Sequence, residues 1–207
     1  PSPSSTRLVC TAWSPGRIAM AQVGSFHYLF YDTPNTTVKE WIADSWTYQA
    51  WATRMMTEAF RRDWRMVTYA IHLFIDAWPA GWMKAIMDVG RNPKDAYFAY
   101  RDCNTPVMVS LRTDRLSLRS GEEMVCEAWV CNDLPDACKA HTLKYQLVLD
   151  GAVLFAGQCP ASIPACAPEF QGYLKCKVPP LQERKQAILQ LALENESGEI
   201  VHHTEQH

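Results

Sequence analysis

The sequence predicts a chain in two parts, an α/β first half and an all-β second half that reads as an immunoglobulin-like β-sandwich. Three observations predict it. Up to about residue 103 the apolar residues fall at helical spacing or in one continuous run, whereas from about Thr105 they alternate with a period of two. The change of period coincides with Asn104-Thr105-Pro106, which carries turn chemistry. The length of 207 residues accommodates two domains of roughly 100 residues each. The parts are therefore drawn as residues 1–103 and 104–207.

In the first part, "DSWTYQAWATRMMTEAFRRD" places Trp46, Ala50, Trp51, Met55, Ala59 and Phe60 at three- and four-residue steps, which predicts one amphipathic helix with Asp44 as its N-cap. "MVTYAIHLFI" follows as a β-rich apolar run. It is too short for an independent helix and is bounded by "DAWPAG", which predicts a strand buried on both faces. After the turn "GRNP", "KDAYFAYRDC" predicts a short second helix. The second part supplies "VMVSLR", "MVCEAWVC", "LKYQLVLD", "AVLFAGQ", "QGYLKCKV", "AILQLALE" and "EIVHHT", separated by turn pairs such as Asp150-Gly151 and Ser197-Gly198. Short antiparallel strands at this density are the pattern of an immunoglobulin-like sandwich.

Charge and composition narrow the partners. A net charge of −2 gives no field to hold a phosphate backbone, so no nucleic-acid partner is expected. The one basic cluster, Arg61, Arg62 and Arg65, lies in the helical pattern, where a solvated helix face is expected, with an anion site as the alternative. No apolar run approaches the roughly 18 residues of a membrane span, and "PSPSSTRLVC" lacks the apolar core of a signal peptide, so no membrane partner is expected. Of the cysteines, Cys10 and Cys103 stand apart, while Cys126, Cys131, Cys138, Cys159, Cys166 and Cys176 crowd together without any C-x2-C pair, so neither zinc nor another metal is expected. Disulfides would fit an exported protein and buried thiols a cytosolic one, which leaves the compartment open. Asn35-Thr36-Thr37 and Asn195-Glu196-Ser197 match the glycosylation acceptor pattern.

The stretch "IDAWPAGWMKAIMD", followed by "NPKDAYFAYRDCNTPVMVSL", resembles the end of the catalytic barrel in family 2 glycoside hydrolases, the group of β-galactosidases, β-mannosidases and β-glucuronidases. That family shows a similar strand 8 running into a D-x-W-P-x-x-W turn, then a P-K-x-A-Y-x-A helix, then an immunoglobulin-like domain that begins near P-V-x-V. The resemblance covers roughly residues 18–155. It implies that residues 1–103 are the last strands and helices of a (β/α)8 TIM barrel, in other words the C-terminal portion of a catalytic domain. A whole barrel takes about 250 residues, so the remaining strands would come from a missing barrel segment, another chain or a second copy of this one.

The resemblance also implies a chemistry. Family members are retaining β-glycosidases that hydrolyse terminal β-glycosidic bonds with two carboxyl groups, an acid/base and a nucleophile, and no cofactor is expected for this chain. The acid/base follows strand 4 and is not in this sequence. The nucleophile is a Glu at the end of strand 7, and the matching stretch here, "RIAMAQVGSF", has Gln22 at that position. An amide cannot attack an anomeric carbon, so the covalent step would be lost. A second register, on "TRLVCTAW", puts Thr11 there instead, and Gln22 is then an ordinary polar residue at a strand end.

Substrate-binding candidates sit around the strand-8 turn. Trp78 offers a flat apolar face to a pyranose ring. Asp76 lies one alternation away and could accept a bond from a sugar hydroxyl, with a loop or helix cap as its alternative role. His72 stands where the family pattern has an aromatic residue, usually Trp, and Trp82 is expected to pack. The expected function is therefore the C-terminal part of a retaining β-glycosidase acting on a carbohydrate substrate, or a non-catalytic carbohydrate-binding or structural remnant of that fold.

Overall fold

The computed structural model describes residues 37–76 and 84–207, so Cys10, Thr11, Gln22, Asn35, Trp78 and Trp82 lie outside the described residues. The chain divides into two compact units. One takes in the described residues up to Met55 together with Ala70–Arg101, and the other comprises Met56–Tyr69 and Asp102–His207. Helix α1, Val38–Arg62, contributes to both, and helix α2 is Asp95–Asp102. Seven strands follow: β1 Val107–Arg112, β2 Glu123–Asn132, β3 Thr142–Leu149, β4 Ala152–Pro160, β5 Ala167–Lys177, β6 Ala187–Glu194 and β7 Ile200–Gln206.

All seven alternating segments of the second part form strands, because each can bury one face and pair antiparallel with a neighbouring strand. They make a β-sandwich of two sheets, β1-β2-β5 and β4-β3-β6-β7, with every pairing antiparallel. The inward faces share one core. Val109, Cys126 and Val130 of the first sheet belong to the same buried cluster as Leu143, Leu191 and Leu193 of the second. Burying each of these leucines contributes about 1.5–3 kcal/mol. Three register shifts adjust the sheets, on the β2–β5 pairing between Ala128 and Trp129, on the β3–β4 pairing between Leu147 and Val148 and on the β6–β7 pairing between Leu193 and Glu194.

The cysteines join this packing as thiols. All seven described cysteines are unbridged. Burial pushes the Cys126 thiol up to about 12 and the Cys131 thiol up to about 11, so both are small apolar side chains at neutral pH.

Three expectations for the first part need correction. The helix begins earlier than Asp44. Thr37 caps it, its Oγ1 accepting from the Glu40 amide (3.3 Å) while the Glu40 carboxylate accepts from the Thr37 amide (2.8 Å). This reciprocal pair satisfies two of the amides that a helix N-terminus leaves unpaired. The buried side is also different. Thr53, Thr57, Glu58 and Arg61 are buried, whereas Trp46, Trp51, Met56 and Phe60 are exposed. Lastly, "MVTYAIHLFI" is not a buried strand. A strand buried on both faces needs neighbours on both edges, and among the described residues this run makes only the bridge Ile75–Met87. Val67 is 96% exposed and Phe74 is half exposed.

The arginine cluster is likewise not a solvated face. The Arg61 side chain is 3% exposed. It donates to the carbonyl oxygens of Cys103 (2.8 Å), Thr105 (2.7 Å) and Pro106 (3.4 Å) and pairs with Asp133 (2.8 Å). Arg62 donates to Ser110 Oγ and lies 3.6 Å from the Glu58 carboxylate, which itself accepts from the Ser110 hydroxyl (2.6 Å). Desolvation lowers the Arg62 pKa, and the Glu58 charge opposes that shift. Only Arg65 meets the expectation, exposed and paired with Asp63 at 2.8 Å.

Candidate functional site

The described part of the candidate site lies in the unit that contains Ala70–Arg101. Leu73 to Asp76 run beside Ala85 to Asp88. The Ile86 amide donates to the Leu73 carbonyl (3.1 Å), the Met87 amide to the Phe74 carbonyl (3.0 Å) and the Asp76 amide to the Met87 carbonyl (3.1 Å). Ala85 and Ile86 are fully buried. From α1, the Gln49 side-chain amide donates to the carbonyls of Lys84 (3.0 Å) and Ala85 (3.2 Å), fixing this return segment. Asp76 therefore stands on a hydrogen-bonded backbone at the point where the chain enters residues 77–83.

A tight turn brings the partner of Asp76 back. The Asp88 carboxylate accepts from the Asn92 amide (2.8 Å) and side chain (2.9 Å), and the Arg91 amide donates to the Asp88 carbonyl (3.0 Å). These bonds hold the Asp88 pKa below the usual carboxylate value. The Lys94 amide then donates to the Ile86 carbonyl (2.9 Å), and Lys94 leads into α2. Its ammonium lies 3.3 Å from Asp76 Oδ2, with the Lys94 and Asp76 side chains 10% and 15% exposed. A mostly buried carboxylate paired in this way is a fixed, oriented acceptor, and its charge is already offset by the lysine. It suits orienting a polar ligand group.

His72 is exposed, on the same segment four residues before Asp76. Phe74 meets Tyr97 of α2 edge-on, with ring centroids 6.2 Å apart. The structure thus places Asp76 and His72 on one segment, while Gln22, Trp78 and Trp82 lie outside the described residues. Sequence reasoning used the "NPKDAY" run to place a helix and to carry the family resemblance, and gave Lys94 no role. Among the described residues no group of acidic, histidine or cysteine side chains could hold a metal ion.

No protein-family model and no curated protein matches this sequence. Solved structures do match. The exo-β-D-glucosaminidase CsxA aligns with a TM-score of 0.72 at 14% identity, covering 99% of this chain and 24% of its own. The exo-chitosanase CsxA of Amycolatopsis orientalis in complex with PNP-β-D-glucosamine aligns at 0.63 and 16% identity, over 83% of this chain and 19% of its own. The β-D-mannosidase of Dictyoglomus thermophilum aligns at 0.58 and 17% identity, over 89% and 22%. The chain spans a quarter or less of the length of these proteins, and at such identities the likeness is one of fold. The chain therefore has a glycoside-hydrolase-like fold that includes a β-sandwich.

Proposed function

We propose that this chain supplies the end of the catalytic (β/α)8 barrel, residues 1–103, and the immunoglobulin-like sandwich that follows it, residues 104–207, in a retaining β-glycosidase of the family 2 type. The observation that carries the reading is the extent of the fold likeness, which runs through both parts of the chain. A sandwich module of independent function would be matched over its second half alone. The order of elements agrees with it, since the segment Leu73–Asp76 precedes Trp78 and Trp82 in sequence and α2 then leads into β1.

In this reading Trp78 stacks on a pyranose ring and Asp76, held by Lys94, accepts from a sugar hydroxyl, with His72 further along the same wall. The remaining barrel strands come from a separate segment, another chain or a second copy. The exposure of Phe74, Ile75 and Val67 supports this, because a completed barrel would cover such side chains. One observation favours a second reading, a carbohydrate-binding or structural remnant: Gln22 occupies the expected nucleophile position with an uncharged amide.

The glycosidase reading and a carbohydrate-binding remnant both require sugar binding at the Trp78 wall, whereas a purely structural remnant does not. With the remaining barrel strands supplied, titration with aryl β-glycosides, including PNP-β-D-glucosamine, should quench tryptophan fluorescence saturably. Trp78→Ala should weaken binding by about 1–3 kcal/mol through loss of the stacked aromatic contact. Absence of binding to every glycoside tested would reject both of these and leave the structural remnant.

A further inference from the structure

On the outer face of the sheet β1-β2-β5, away from the sandwich core, three aromatic rings stand together. Trp129 of β2 lies 5.3 Å from Phe170 of β5, and Phe170 lies 5.0 Å from Tyr173, measured between ring centroids. Phe170 and Tyr173 are three residues apart and would point to opposite faces of a regular strand. The β2–β5 bulge changes the phase. Trp129 pairs with Phe170, Ala128 with Gly172 and Glu127 with Tyr173, which leaves Gln171 as the extra residue and puts both rings on the outer face. Gly172 makes this possible with a φ of +133°, a conformation that side-chain-bearing residues rarely adopt. Backbone irregularity is thus spent on bringing rings to the surface, where Phe170 is 38% and Tyr173 57% exposed.

The rings are held by polar side chains. The Trp129 indole N–H donates to Glu127 Oε2 (2.8 Å), and Glu127 Oε1 accepts from Arg112 of β1 (2.9 Å). The Lys175 ammonium sits 5.8 Å from the Tyr173 ring centroid. This composition decides what the face suits. The buried centres of protein–protein interfaces are depleted of charge, whereas here a carboxylate, a guanidinium and an ammonium border the rings. Flat apolar faces edged by fixed hydrogen-bonding groups match a ligand with apolar C–H faces and a hydroxyl rim.

We propose that this outer sheet face binds a carbohydrate chain, with Tyr173 and Phe170 as its stacking platform, at a site separate from the Trp78 wall. The site belongs to the sandwich alone and does not depend on the glycosidase reading.

The test is calorimetric titration of the full chain with soluble β-linked oligosaccharides of glucose, mannose and glucosamine, for the unmodified protein and for Tyr173→Ala, Tyr173→Trp and Trp78→Ala. Saturable binding of at least one of them is expected. Tyr173→Ala, at an exposed position, should weaken that binding about tenfold, and Tyr173→Trp should retain it. Failure to bind any of the three, or binding indifferent to Tyr173→Ala, overturns the proposal. So does a change in self-association of Tyr173→Ala by sedimentation without a change in glycan binding, because the face is then an interface between protein chains. Loss on Trp78→Ala alone assigns binding to the barrel wall and likewise overturns it.

Discussion

Arg61 shows how one side chain can reverse the reading of a helix. By composition it belonged with Arg62 and Arg65 on a solvated face, but its guanidinium offers a rigid fork of donors, and the turn at Cys103–Pro106 presents three carbonyl oxygens to it. Few side chains could satisfy three such acceptors at once, one buried and two partly buried. Its ionic partner matters less, since the Asp133 side chain is 67% exposed and screened by water. Arg61→Ala should therefore destabilise the protein by about 3 kcal/mol, because it strands the buried Cys103 carbonyl and two partly buried ones. Asp133→Ala should cost only about 0–1 kcal/mol, as exposed ion pairs do. Urea unfolding of the two variants checks this, and equal losses would mean that the ion pair, not the carbonyl network, is what Arg61 contributes.

At the scale of elements, legibility followed the source of stability. The seven strands were readable because alternation records which face is buried. The helix was readable in period but not in orientation. Trp46, Trp51 and Phe60 gave an apolar stripe, yet the buried side carries Glu58 and Arg61, whose partners Ser110 and the Cys103–Pro106 carbonyls lie about 40 to 50 residues away in sequence, as long-range polar pairing allows. No local pattern reports such pairing. "MVTYAIHLFI" failed for a related reason, since a parallel strand exists only through neighbours, and the described chain gives it one bridge. Of the candidate site, motif spacing singled out Asp76 as a candidate, while Lys94 emerged only when the fold brought it within 3.3 Å.

Within the sandwich, Gly157 of β4 is paired with Tyr145 of β3, and a Cβ at Gly157 would lie 2.6 Å from Tyr145 Cζ. The tyrosine ring covers the glycine and packs tilted against Phe155, with centroids 5.3 Å apart. An aromatic lying over a cross-strand glycine replaces the packing the glycine lacks. Gly157→Ala should cost about 1–3 kcal/mol through overpacking, and most of that cost should vanish in a Tyr145→Ala background. A double-mutant cycle of thermal melts measures the coupling. Additive losses would show that the ring does not depend on the glycine.

For the whole molecule, the β-sandwich and the glycoside-hydrolase-like fold stand on the described residues and the structural likeness, and the catalytic reading turns on one position, Gln22. A retaining mechanism needs a carboxylate there to form and release the glycosyl-enzyme, while stacking on Trp78 and the acceptor role of Asp76 need no charge at residue 22. The decisive measurement is turnover of an aryl β-glycoside by the barrel completed with its remaining strands, comparing the sequence as it stands with Gln22→Glu. The account predicts sugar binding without turnover for Gln22 and measurable hydrolysis for Gln22→Glu. Full hydrolysis with Gln22 in place would contradict it by placing the nucleophile elsewhere, and a Gln22→Glu variant that binds sugar but stays inert would contradict the register that puts residue 22 at the end of strand 7.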